Sequence, residues 1–122
     1  MADKKRILIV EDEKPMGHAL ELKLESEGFE VSTASNGVEA LEVLEKETFN
    51  LVLLDLVMPK KDGFEVLTEL KEKKNTTPVI VSSNLGQEED FKKAEELGAV
   101  DYLIKSDSTL SQIIEKVKAT IK

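Results

Sequence analysis

The chain has 122 residues, with 17 lysines and arginines against 25 acids, a formal charge of −8, 40% hydrophobic and 34% charged residues, and no cysteine. That length fits one domain spanning 1–122 around a single core, with the composition of a soluble globular protein. The acidity argues against direct nucleic-acid binding; the absence of any apolar run near the roughly 20 residues of a span argues against membrane insertion; Ile7 to Val10 is too short for the apolar core of a signal peptide and runs at once into acids; the missing thiols exclude disulfide chemistry and fit a cytoplasmic location.

Ile7-Leu8-Ile9-Val10 is a short, wholly apolar run ending in Glu11-Asp12-Glu13, the pattern of a strand buried on both faces. Pro15 suits a first helical turn, Met16, Ala19, Leu20 and Leu24 recur at helical spacing, and Gly28 is placed to stop that helix. Phe29 to Ala34 alternates apolar and polar residues, as a half-exposed edge strand does. Asn36 with Glu39 three residues on reads as a capping-box pattern for a helix burying Val38, Leu41 and Leu44. Leu51-Val52-Leu53-Leu54 is a second doubly buried strand, running straight into Asp55; Met58-Pro59 breaks it and Asp62-Gly63 turns into a helix lined by Phe64, Leu67 and Leu70. Val79-Ile80-Val81 follows Pro78 and ends in Ser82-Ser83-Asn84. Glu88 to Leu97 predicts a helix with Phe91, Ala94 and Leu97 inward and Gly98 as its stop, and Asp101 to Ile104 is a fifth strand ending in Lys105. The last helix, capped by Asp107 or Ser108, packs through Leu110, Ile113, Ile114, Val117 and Ile121.

Five strands alternating with five helices predict an α/β fold, a doubly wound parallel sheet with helices on both faces. An edge-like second strand beside a buried first strand points to the order 2-1-3-4-5. In a parallel sheet all strand ends lie on one edge, and in that order the first and third strands are neighbours, so Glu11, Asp12 and Asp55 converge at the topological switch point where ligands bind. Alone, Asp55 reads equally well as a turn residue; the other strand ends favour a site. Clustered carboxylates require a counter-charge. An oxygen-only donor set favours Mg²⁺ or Mn²⁺ over Zn²⁺. Lys105 and a hydroxyl at Ser82 or Ser83 are placed to contact a phosphoryl group carried by Asp55.

The stretches Ile7-Leu8-Ile9-Val10-Glu11-Asp12-Glu13, Asp55-Leu56-Val57-Met58-Pro59 with Gly63, Pro78-Val79-Ile80-Val81-Ser82-Ser83 and Asp101-Tyr102-Leu103-Ile104-Lys105 together resemble the response-regulator receiver domains of two-component signalling, over essentially the whole chain from Arg6. The resemblance implies a flavodoxin-like fold and a phosphoacceptor switch rather than a turnover enzyme. Asp55 would be the phosphoacceptor. Asp12 would bind Mg²⁺ directly, Glu11 through water, and the Val57 backbone carbonyl would complete the ligands. Lys105 would pair with the phosphoryl oxygens, Ser83 would be the hydroxyl that moves to them, and Tyr102 the aromatic that reports the switch through a surface of the fourth helix, fifth strand and fifth helix. The implied partners are a sensor histidine kinase or phosphotransfer protein and a downstream protein target, and the resemblance admits a phosphorylation-dependent homodimer. A phosphate-independent interaction module, or a receiver fragment of a larger regulator, is the alternative.

Four positions depart from the family pattern. Ser106 follows Lys105 where proline is usual, so the lysine loop is expected to be trans or strained. Asn84 stands where alanine or glycine is frequent, and its bulk is expected to narrow the approach to Asp55. Val57 and Leu85 are apolar where polar residues help position hydrolytic water, which implies a slowly decaying phosphoform. A flavin electron carrier of the same topology fails because Glu11-Asp12-Glu13 would repel a flavin phosphate. A phosphohydrolase with an Asp55 nucleophile lacks the usual second acid, since Val57 holds that place.

Overall fold

The computed structural model describes residues 4–121. Strands β1 (Arg6–Val10), β2 (Glu30–Ala34), β3 (Leu51–Leu54), β4 (Val79–Ser83) and β5 (Asp101–Ile104) alternate with helices α1 (Lys14–Ser26), α2 (Gly37–Lys46), α3 (Gly63–Glu72), α4 (Glu88–Glu96) and α5 (Leu110–Ile121). All neighbours pair in parallel in the order β2-β1-β3-β4-β5, the flavodoxin-like topology expected from the strand patterns. No helix among the described residues is long and apolar enough to cross a membrane.

The apolar runs are continuous because both sheet faces are covered. Side chains alternate along each strand, so Leu8, Val10, Val52, Leu54, Val79 and Val81 pack on one face against α2, α3 and α4. On the other face Ile7, Ile9, Leu51, Leu53 and Ile80 meet Leu20 and Leu24 of α1 and Ile113, Ile114 and Val117 of α5. Each fully buried aliphatic side chain contributes about 1.5–3 kcal/mol relative to exposure, which makes the three central strands the rigid support for whatever projects from their ends.

Helix ends follow local chemistry. Gly28 and Gly98 adopt φ of +96° and +106°, and each is followed by a residue whose N–H reaches back into the last helical turn (Phe29 to the Leu24 carbonyl, Ala99 to that of Ala94), closing α1 and α4 with Schellman geometry. Asp62 caps α3 in a reciprocal capping box with Glu65.

Four expectations need correction. Val38 is exposed, because Gly37, Ala40, Leu41 and Leu44 form the buried stripe of α2 and Val38 lies one step round the helix from it. The Asn36 side chain does accept the Glu39 N–H, but the Glu39 carboxylate reaches back to Ser35 rather than to Asn36. Phe91 is not inward: it is 37% exposed and meets Tyr102 edge-on at 4.6 Å between ring centres. Residues Lys105–Asp107 form a single 3-10 turn, which delays α5, so its cap is Thr109, paired reciprocally with Gln112, and not Asp107 or Ser108.

At the amino-terminal edge of the sheet, Arg6 ties three elements together. Its guanidinium pairs with Glu30 and Glu47, donates to the Thr48 carbonyl and stacks over Phe49, while its backbone N–H donates to Asn50 Oδ1. At the opposite edge the chain leaving β3 doubles back tightly. The Gly63 N–H donates to the Leu56 carbonyl at 2.9 Å. A Cβ on Gly63 would lie 2.5 Å from the Asp55 carbonyl oxygen and 2.7 Å from Leu56 Cα, both backbone atoms. Gly63→Ala is therefore expected to lower stability by about 1–3 kcal/mol, the usual cost of overpacking, read from the urea midpoint; an unchanged midpoint would show that this turn yields freely.

Candidate functional site

The strand register builds the site. Val10 stands beside Leu54 in the β1–β3 pair, and the ladder runs one residue further, the Asp55 N–H donating to the Val10 carbonyl and the Glu11 N–H to that of Ala34, both at 3.0 Å. Glu11 and Asp55 thus emerge side by side from a rigid backbone, 8% and 5% exposed. Oxygen atoms of Glu11, Asp12 and Asp55 all lie within 4.8 Å of one another.

Lys105 reaches this group from the end of β5. Its Nζ is 2.5 Å from Glu11 Oε1 and 3.1 Å from Asp55 Oδ2, with Glu13 Oε1 at 3.6 Å. The other oxygens are also held: Asp55 Oδ1 accepts the Val57 N–H and Glu11 Oε2 the Glu13 N–H, both at 3.2 Å. The Lys105–Ser106 peptide is trans, as is every described peptide bond, and the lysine still spans the gap.

Burial sets the electrostatics. Removal from water pushes the Asp55 carboxyl above the usual carboxylate range, against the pull of Lys105 and the Val57 N–H, with Asp12 adding to the rise. Glu11 is raised for the same leading reason, opposed by its bond to Lys105. For Lys105 burial works against the charge, yet Glu11 and Asp55 more than offset it and hold the ammonium above its ordinary value. One cation thus faces two buried acids, with a third acid alongside. An additional cation relieves that imbalance, and an all-oxygen donor set matches a hard divalent ion such as Mg²⁺. The group opens into a cleft of about 360 Å³ walled by Asp12, Glu13, Asp55, Val57, Asn84 and Lys105.

The structure brings Glu11, Asp12, Asp55 and Lys105 into one cluster and places Val57 on the cleft wall. Ser83 and Tyr102 bond instead to Leu85. Ser83 is fully buried and its Oγ accepts the Leu85 N–H at 3.2 Å. The Tyr102 hydroxyl donates to the Leu85 carbonyl at 2.6 Å, so both side chains engage the same loop residue from two sides. Ser82 points to the opposite sheet face from Ser83, and its buried Oγ has no hydrogen-bond partner among the described residues. Two participants escaped the sequence reading. Glu13 faces the lysine as a third acid, a position legible in the acidic triplet only once the lysine's reach is known. The Leu85 carbonyl, as a backbone group, leaves no side-chain signal.

The family model described as response regulator receiver domain matches residues 7–118. The transcriptional regulatory protein SrrA of Staphylococcus aureus is 40% identical over 116 residues, 95% of this chain and 47% of the relative, so the chain spans about half the length of the curated relatives it matches. Among solved structures, the Francisella response regulator 1452 receiver domain superposes with a TM-score of 0.91 at 27% identity, covering 97% of each chain. The response regulator TrrA from Thermotoga maritima, solved in complex with Mg²⁺ and BeF, superposes with a TM-score of 0.83 at 35% identity, covering 95% of this chain and 98% of that one. With its sheet order and the family match over nearly its whole length, the chain belongs to the response regulator receiver domains of two-component systems.

Proposed function

We propose that this chain accepts a phosphoryl group on Asp55 from a sensor histidine kinase or a phosphotransfer protein, and that the modified form binds a downstream protein target. The observation that carries the reading is the buried Asp55 carboxylate, 3.1 Å from Lys105 and clustered with Glu11 and Asp12 at the β1/β3 switch point. The complex of TrrA with Mg²⁺ and BeF supports it by analogy.

Glu11, Asp12, Asp55 and the Val57 carbonyl would hold Mg²⁺, or Mn²⁺ in its place, which supplies charge neutralisation for the incoming phosphoryl oxygens. An Asp55 oxygen attacks phosphorus in line with the leaving group. The new bond is the aspartyl O–P bond; the bond that breaks is the donor's, P–N for a phosphohistidine, and the leaving imidazole takes a proton from solvent. Positioning and charge do most of the work, since the protein forms no other covalent bond. Lys105 moves its ammonium from the carboxylate to the phosphoryl oxygens. Ser83, released from Leu85, donates its hydroxyl to the same oxygens, and Tyr102, tied to Leu85, senses the change at the α4–β5–α5 surface.

Incubation with Mg²⁺ and acetyl phosphate is expected to add one phosphoryl group by intact mass, and none to Asp55→Asn. An equal gain on Asp55→Asn, or no gain with a kinase donor as well, would overturn the assignment. Decay of the phosphoform is expected to be slow and to quicken severalfold in Val57→Asn, because the exposed apolar Val57 offers no hydrogen bond to an attacking water; equal lifetimes would count against that account.

The site also sets a pH dependence. Glu11 and Asp55 have folded pKa values raised above their unfolded ones. Their favourable contribution is complete below the ordinary carboxylate pKa near 4 and is lost as pH rises through the raised values. In metal-free buffer Asp55→Asn is therefore expected to raise the urea midpoint at neutral pH, with the gain vanishing towards pH 4. Mg²⁺ is expected to raise the wild-type midpoint more than the variant's.

A further inference from the structure

Asn84 and Ser106, two of the positions that depart from the family pattern, bond to each other. The Ser106 N–H donates to Asn84 Oδ1 at 2.9 Å. Asn84 follows Ser83 at the end of β4, and Ser106 follows Lys105 at the end of β5, so a single bond spans the two turns that carry the candidate hydroxyl and the candidate lysine. Proline at 106 would have no N–H to offer, so the bond exists only because both departures occur together.

Ties on the lysine turn are otherwise few. Ser108 N–H reaches the Lys105 carbonyl at a long 3.3 Å, within the turn itself. The Lys105 ammonium bonds to Glu11 and Asp55, and on the phosphoacceptor reading those bonds are exchanged when a phosphoryl group arrives. The Asn84 bond is independent of that exchange. Its acceptor stands on a loop that is also held by the Tyr102 hydroxyl on the Leu85 carbonyl, a bond that does not involve Ser83. A backbone donor also settles the orientation of the Asn84 amide, since only its oxygen can accept.

Resting on the phosphoacceptor reading above, we propose that Asn84 is a positioning residue for Lys105: its carboxamide straps the Lys105–Asp107 turn to the β4–α4 loop and holds the lysine backbone in place while the ammonium transfers from Asp55 to the phosphoryl group. Asn84 acts through Lys105.

The test has two arms on the full chain. In the first, backbone amide hydrogen exchange at Ser106 is measured by NMR. Asn84→Ala is expected to speed exchange about tenfold, and Asn84→Asp, which keeps an oxygen at the same place, to restore protection; unchanged exchange in Asn84→Ala would overturn the strap whatever the chain's chemistry. In the second, the rate of phosphorylation by acetyl phosphate with Mg²⁺ is compared in wild type, Asn84→Ala, Lys105→Met and the double variant. Losing one hydrogen bond's worth of positioning is expected to slow Asn84→Ala about three- to tenfold, with no further slowing in the Lys105→Met background. Equal slowing in both backgrounds, or a faster Asn84→Ala, would show that Asn84 acts on access to Asp55 and would overturn the proposal. A wild type that gains no phosphoryl group from small-molecule or kinase donors sinks the phosphoacceptor reading and with it the proposal, even where Ser106 exchange responds as expected.

Discussion

The ammonium of Lys105, seated between Glu11 and Asp55, is the interaction on which the carboxyl edge of the sheet depends. Two carboxylates barely exposed to water and adjacent in the strand register repel each other and have lost most of their hydration. They are tolerable because a cation with 7% of its side chain exposed reaches both from the end of β5, two places along the sheet from β3 and three from β1. That reach requires β5 to sit beyond β4 and β4 beside β3, so the sheet order and the charge balance are one constraint seen twice. The arrangement also leaves the acids under-compensated. Burial keeps both acids above their ordinary pKa against a buried lysine, an imbalance that a second cation would relieve.

Most of the architecture could be read from the sequence, for a physical reason. Doubly buried strands are the least ambiguous pattern in an α/β chain, and Ile7–Val10, Leu51–Leu54 and Val79–Val81 stand out as runs with no polar residue at all. Once those strands are parallel, the residues that follow them must share an edge, so the sequence pattern alone puts Glu11, Asp12, Asp55 and Lys105 on one side of the sheet. What failed was of a different kind. Val38 and Phe91 are apolar residues on helices, and apolarity alone does not say where the edge of a buried stripe falls when a helix is packed on one side only. The cap of α5 was missed because the 3-10 turn after β5 uses up Asp107 before the helix begins.

The parts of the site that could not be read from the sequence are those made by backbone atoms or by pairs of exceptions. The Leu85 carbonyl that receives the Tyr102 hydroxyl has no side-chain signature. Asn84 and Ser106 each looked like a defect when taken singly, one too bulky and the other unable to replace a proline. Their meeting at 2.9 Å is a tertiary fact, and local reasoning at either position has no access to it.

The Arg6 cluster gives the molecule a second pole. It gathers β1, β2 and the segment leading into β3 at the edge of the sheet opposite the acids, and the five residues of β1 separate the two groups by roughly 17 Å at the rise of an extended strand. At that separation two unit charges interact by only about 1 kcal/mol at an effective dielectric near 20. A change of charge on the aspartate is therefore electrically remote from the ties that staple the sheet together. On the phosphoacceptor reading, charge added at one end would leave the ties at the other in place, an insulation that comes from nothing more than the length of a strand.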